Sequence, residues 1–269
     1  MTSSPDAGAT AVPDRTPTAI SAQALTRTFG DKRAVDDLSL DIPAGSFFGI
    51  CGPNGAGKTT MLKMATGLLR PTSGSIAVDG IDVWSDPVAA KRRFGFVPDN
   101  PRVFDRLNAP EVLEYIGALR GMDPATVRER SEQILDALDL QKDRGTIIAD
   151  YSLGMTKRIG LAAAMLHNPR VLILDEPFGS LDPVNTAVME GLLKLHRKGG
   201  GTVVFSSHVM DVVERLCDQI VIIDEGRVKA EGTVAEVSGG KRLQDAFVDL
   251  VGGRAFDDRG MQWFGSSSD

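Results

Sequence analysis

The stretch SFFGIC followed by GPNGAGKT, residues 46–51 and 52–59, decides how the rest of the chain is read. An apolar run leads directly into a glycine loop, and the loop ends in Lys-Thr at the start of a helical pattern. This is the G-x-x-x-x-G-K-[ST] phosphate loop in the context it requires. Gly52, Pro53, Asn54, Gly55, Ala56 and Gly57 supply the loop, and Gly55 and Gly57 let successive N–H groups converge on phosphate oxygens. Lys58 adds a mobile cation, Thr59 offers a hydroxyl to Mg²⁺, and Thr60 follows at the helix N-terminus, where the dipole favours anions. Cys51, beside the loop, reads as a small buried residue, since nothing near it would lower its pKa.

A phosphate loop needs an apolar strand that ends in a carboxylate for the metal shell. VLILDEP supplies it at residues 171–177: Asp175 is placed to hold Mg²⁺, and Glu176 to polarise an attacking water. Further out, LTRTF and LSLDI read as strands upstream of the loop, which opens a helix over about 57–68. SIAV and FGFV, the latter at 94–97, follow as strands, and a helical stretch then runs to about residue 166, with Asp123-Pro124 as a start signal within it. After VLIL come a helix near 184–198, the strand TVVFS, a helix from about Val209, the strands QIVII and RVKAEG, and a terminal helix over 241–251. That helix places Leu243, Ala246, Phe247, Leu250 and Val251 on one docking face. Alternating apolar runs and helices imply an α/β fold, a parallel sheet covered on both faces, with a helical insertion.

Composition narrows the function. Of 269 residues, 42% are apolar and 25% charged, a globular balance long enough to build its own core. The net charge of −6 disfavours nucleic acid as a primary partner. Cys51 and Cys217 lack metal-ligand spacing, so no zinc site is expected. Gly, at 29 residues, is in excess over the usual ~7%, consistent with backbone brought close to a ligand. Residues 1–18 read as a disordered tail without a secretory signal, and the longest uncharged run, from Ile42 to Gly57, is too short and too broken by Pro and Gly to span a bilayer. The segment from residue 252 on, with Phe256, Trp263 and Phe264, gives no clear pattern, and the single phosphate loop implies one nucleotide-binding unit.

Between the two nucleotide motifs lies YSLGMTKR, residues 151–158, and with it the sequence resembles the ATP-binding subunits of ABC transporters over about residues 20–250. The segment is similar to that family's signature, LSGGQ followed by a basic stretch. Physically it is a Ser-capped helix start with free amides, an anion site. The resemblance implies a P-loop NTPase core with a mixed, mainly parallel sheet, an antiparallel β subdomain and a helical subdomain. The ATPase domain would span 19–238 with its helical part at about 100–165, followed by a C-terminal helix at 239–252 and a tail at 253–269. It also implies a dimer around two Mg·ATP, in which Ser152 and Gly154 of one copy contact phosphate held by the other. In GSLDP, residues 179–183, Asp182 would lie at the dimer seam, and His208 of FSSHV would contact the γ-phosphate. Phe29 resembles the aromatic that stacks on adenine, usually Tyr; the residues alone also allow a core phenylalanine there.

The sequence departs from the family in two places. Asp99, in FVPDNP, stands where the family generally has Gln; it could still reach Mg²⁺ or the water, with shorter reach and a negative charge. Leu153, Met155 and Lys157 replace a Gly and two Gln of the signature, a variant similar to single-domain ATPases that serve separately encoded exporter permeases. His167 and His196 fall near helix C-termini, where a partial cation suits the dipole. The implied function is ATP hydrolysis at the inner, cytoplasmic face of the membrane, driving integral membrane permease subunits that handle the substrate. Export is favoured over import because little chain follows residue 235 for a regulatory domain. A soluble relative acting on nucleic acid or ribosomes is the alternative, although zinc cysteines, a basic surface and duplicated ATP sites are not evident. A kinase or GTPase would share only the phosphate loop, and there is no Asn-Lys-x-Asp sequence to read guanine.

Overall fold

A computed structural model describes residues 17–101 and 103–252. The expected tails, with Phe256, Trp263 and Phe264, lie outside the described residues, apart from Pro17 and Thr18. The Pro17 carbonyl accepts from Ala44 N–H, and Thr18 already belongs to the first strand.

Two long strands, β1 (Thr18–Phe29) and β2 (Lys32–Pro43), pair antiparallel and extend well beyond the short LTRTF and LSLDI runs. Backbone irregularities in the β1–β2 pairing break the simple period-2 signal, which is why the sequence shows only part of each strand. The phosphate-loop strand β3 (Phe47–Cys51) is buried throughout, and α1 (Lys58–Ala65) follows the loop. This helix stops before the expected Leu68 because Gly67 takes a left-handed conformation (φ 70°). Next come β4 (Ser73–Val78), the short β5 (Ile81–Asp82), α2 (Pro87–Arg93), capped by Asp86, and β6 (Phe94–Val97).

The helical stretch is three helices. α3 (Ala109–Leu119) opens with an Asn108/Glu111 capping box, and α4 (Pro124–Ala137) with Asp123. Two 3-10 turns (Gln141–Asp143 and Ile148–Asp150) then lead to α5 (Leu153–Met165), capped by Ser152. β7 (Val171–Leu174), α6 (Pro183–Lys198), β8 (Thr202–Ser207), α7 (Met210–Leu216), β9 (Gln219–Asp224), β10 (Arg227–Thr233), α8 (Val234–Ser238) and α9 (Leu243–Leu250) complete the described order. α9 is shorter than the expected terminal helix; Leu243 and Ala246 dock, but Leu250 points partly to solvent, so it is not part of the docking face.

The strands form two sheets. One is antiparallel, in the order β2-β1-β4-β5. The other, in the order β10-β9-β3-β8-β7-β6, is parallel except for β10 at its edge. Alternate residues of the parallel strands feed two cores. Phe47, Leu172, Leu174, Val203, Phe205 and Ile220 face one way, against α3 to α7 and α9. Phe48, Ile50, Val171, Ile173, Val204 and Val221 face the other, against α1 and the antiparallel sheet. A sheet buried on both faces must be apolar on both, which accounts for the continuous VLIL and TVVF runs.

Candidate nucleotide site

Parallel pairing fixes where the chemistry collects. In β3 and β8, Cys51 lies opposite Ser207, and Leu174 of β7 is in register with Phe205 of β8 and Val97 of β6. The C-terminal ends of these four strands therefore form one edge, where ligands of open α/β sheets bind. The loop at 52–57 leaves β3 at that edge, Asp175 and Glu176 leave β7, Ser206 and His208 lie at and just past the end of β8, and Asp99 follows β6.

The loop needs its glycines. Gly57 takes φ 109°, and a Cβ there would sit 2.3 Å from the Ala34 carbonyl; a Cβ on Gly52 would sit 2.2 Å from the Ile223 carbonyl. Lys58 is buried and donates to the carbonyls of Gly52 (2.7 Å) and Pro53 (3.2 Å), with Glu176 Oε1 3.8 Å away. Thr59 Oγ1 donates to Asp175 Oδ1 at 3.1 Å, and Ser206 donates to the same oxygen at 2.6 Å. Ser206 Oγ in turn accepts from Glu176 N–H at 2.9 Å. The Glu176 carboxylate meets His208 Nδ1 at 2.9 Å. Glu176 (φ 46°) and Ser180 (φ 61°) are both left-handed, which costs about 1–2 kcal/mol for each non-glycine residue.

A cleft of about 400 Å³ lies over this edge, lined by Phe29, Lys32, Ala34, residues 54–60, Asp99 and Glu176. Phe29 is half exposed, with the Arg27 guanidinium 4.6 Å from its ring centroid, so the core alternative for Phe29 fails. The oxygen set of the Thr59 hydroxyl and the Asp175 carboxylate fits Mg²⁺, a hard cation bound by one or two protein oxygens together with substrate phosphates. Among the described residues no group of three or more His, Cys, Asp or Glu side chains could hold a metal ion, so a metal here would depend on phosphate oxygens as well. Asp99 is exposed and pairs with Lys157 Nζ at 3.6 Å.

Ser152 and Gly154 do not line this cleft. Ser152 Oγ accepts from Met155 N–H and caps α5, while Gly154 sits against Asn185 and Leu181. Asp182 is likewise exposed, and its carboxylate accepts from the N–H groups of Val184 and Asn185 at the start of α6, which holds its pKa below the usual carboxylate value.

Sequence reasoning missed two contributors. Ser206 joins Asp175 to Glu176; its signal is a hydroxyl at the end of an otherwise apolar strand. Lys157 is buried in α5, and desolvation lowers its pKa while Asp99 opposes that shift. Its signal is a charge on the helical face of TKRIGLAAAM. Burial pushes His167 down to about 4 and lowers His196 too, which works against a partial cation at either helix end. Burial also pushes the Cys51 thiol up to about 12, in keeping with an inert residue.

A profile for the ABC transporter family matches residues 35–179, more than half of the chain. The chain is 38% identical, over 81% of its length, to the daunorubicin/doxorubicin resistance ATP-binding protein DrrA of Streptomyces peucetius, whose own length is covered to 66%, just under two thirds. It is 34% identical to the ABC transporter ATP-binding protein NatA of Bacillus subtilis (strain 168), covering 82% of this chain and 92% of that one. The bacitracin transport ATP-binding protein BcrA of Enterococcus faecalis is 33% identical, over 85% of this chain and 73% of its own. Among solved structures, an ATP-binding subunit of an ABC transporter superposes with a TM-score of 0.81 at 28% identity, over 87% of this chain and 99% of that one. A dimeric ATP-binding cassette in a post-hydrolysis state, bound to ADP and Pi, superposes with 0.73 at 26% identity, over 80% and 98%. With its phosphate loop, acidic strand end and sheet order in that arrangement, the chain belongs to the ABC transporter family, as an ATP-binding subunit built on the ABC ATPase fold.

Proposed function

We propose that two copies of this subunit, or one copy and a similar subunit, close on two Mg·ATP and reopen after hydrolysis, driving separately encoded membrane permease subunits in the direction of export. One observation carries the reading: Lys58, Thr59, Asp175, Glu176 and His208 converge on one sheet edge, while the capped helix start at Ser152 and Gly154 lies outside that cleft. A free helix N-terminus suits phosphate, and a second chain can bring Ser152, Gly154 and Asp182 to the phosphates held by the first. Thr59 and Asp175 would hold Mg²⁺, which offsets phosphate charge when bound. The loop amides from Gly52 to Gly57 and Lys58 hold the phosphates, with Thr60 at the helix start and Phe29 against the base. Glu176 orients the attacking water and accepts its proton, held in place by His208 and by Ser206.

Among the described residues no helix is long and apolar enough to cross a membrane; the membrane path is assigned to the permease. Its docking place is a groove of about 970 Å³ between α2, α3 and α5, where Leu68, Val88 and Leu119 are exposed beside Lys91, Arg92 and Arg120. That mixture fits a short amphipathic helix of the permease that carries acidic residues, and a subunit docked there works from the inner, cytoplasmic face of the membrane. Export is supported by the resistance and transport names of the relatives. The test is a tagged purification from detergent-solubilised native membranes with ATPase activity measured alongside. A multi-span protein recovered in stoichiometric amount supports the proposal. A soluble ATPase that brings down ribosomes or nucleic acid overturns it.

A further inference from the structure

Two departures from the family pattern, Asp99 for Gln and Lys157 for Gln, lie far apart in sequence and meet in space. Lys157 is only 3% exposed. Its ammonium lies 2.8 Å from the carbonyl oxygen of Glu176, 2.9 Å from that of Gly179 and 3.6 Å from Asp99 Oδ1. An ammonium has three donors, and here three acceptors surround it, from the segment after β6 and from both ends of the turn after β7.

That turn needs holding. Glu176 and Ser180 are left-handed, and across it runs the backbone bond from Gly179 N–H to the Glu176 carbonyl, at 3.2 Å. Lys157 grips both ends of the same turn, so the residue that carries the Glu176 carboxylate is tied from below by Lys157 and from the side by His208. A buried ammonium is costly unless it is paired, and Asp99 supplies the negative charge that a glutamine would not.

We infer that Lys157 is a positioning residue for ATP hydrolysis, fixing the turn from Glu176 to Ser180 with Asp99 as its counter-ion. The inference rests on the reading of Glu176 as the group that orients water. Asp99, in this account, acts through Lys157 and not on its own at the metal.

The full-length chain is assayed with MgATP as wild type, Lys157→Met, Lys157→Gln, Asp99→Asn, the Asp99→Asn/Lys157→Met double variant and Glu176→Gln, with kcat, KM for ATP and thermal midpoint read for each. The expected result is a roughly ten- to hundredfold loss of kcat in Lys157→Met with KM changed by less than about twofold, because the phosphate loop is untouched. Lys157→Gln, which keeps two donors, recovers part of that loss. The double variant is no worse than Lys157→Met alone, since removing one partner already breaks the pair. Three results overturn the inference: an unchanged kcat in Lys157→Met, losses that multiply in the double variant, or a kcat that merely follows the thermal midpoint with no recovery in Lys157→Gln. If Lys157→Met does not fold, the same cycle is run with Lys157→Gln and the exposed Asp99→Asn. Normal turnover in Glu176→Gln sinks the reading of Glu176 itself. A dead Glu176→Gln beside a fully active Lys157→Met sinks only the inference about Lys157.

Discussion

The edge of the parallel sheet and the start of α5 are both proposed to meet phosphate, but they differ in what a single chain provides. At the sheet edge the polar groups are already joined: Thr59 and Ser206 to Asp175, Ser206 to Glu176, Glu176 to His208. At α5 the Ser152 hydroxyl is spent on its own helix, and the turn faces no phosphate loop of its own chain. On the proposed reading, preorganisation at the first region makes nucleotide binding a property of one chain, and the second region makes turnover a property of two.

The sharpest way to break this contrast is Glu176→Gln. Loss of a general base is expected to reduce phosphate release by about 10²–10⁴-fold, while ATP stays bound and a dimer accumulates, as read by gel filtration with MgATP. A monomeric profile in that variant would place both regions' roles in one chain. Lys58→Ala acts earlier, on binding: loss of charge-assisted hydrogen bonds worth about 1.5–3 kcal/mol should weaken ATP about ten- to hundredfold by titration calorimetry.

Ser152→Ala sharpens the other side of the contrast. It should leave ATP affinity of the single chain unchanged, slow turnover, and cost about 1 kcal/mol of helix capping, or a melting-point drop of ~2–4 °C by calorimetry. Phe29→Ala should weaken ATP by a few fold, since an aromatic contact is worth about 0.5–1.5 kcal/mol, with little change in melting point because the ring is half exposed.

The smallest effect lies away from both regions, at the far end of α5, where His167 meets the Phe94 carbonyl at the start of β6 at 3.1 Å through Nε2. Burial, with Arg120 adding repulsion, lowers its pKa from 6.5 to about 4. Between those values the unfolded chain binds a proton that the folded chain refuses, so stability falls as pH is lowered through that window. His167→Gln, which keeps a donor for the carbonyl, should flatten that fall in urea titrations at pH 7 and pH 5.

Most of the sheet edge is legible in the sequence because its motifs are local: GPNGAGKT and VLILDEP each specify strand, turn and chemistry within a few residues. Phe29 is different, since nothing local to RTFG says whether the ring faces a core or a cleft, and only the turn between β1 and β2 beside the phosphate loop decides it. The long N-terminal strands were hidden by irregular pairing, whereas in the helical stretch the starts at Asp123-Pro124 and Ser152 were legible and only the Asn108/Glu111 capping box that opens α3 was not.

By itself, then, the sequence determined the identity and order of the phosphate loop, the acidic strand end, the signature-like cap and the FSSHV segment that carries His208, because each is written in consecutive residues whose backbone geometry is set locally. Only the tertiary structure decided that Ser206 bridges Asp175 and Glu176, that Lys157 joins the turn after β7 to Asp99, and that burial lowers the pKa of His167. These depend on parallel register and on burial, which bring together residues dozens of positions apart and charge a cost for each unpaired polar group that no local pattern records.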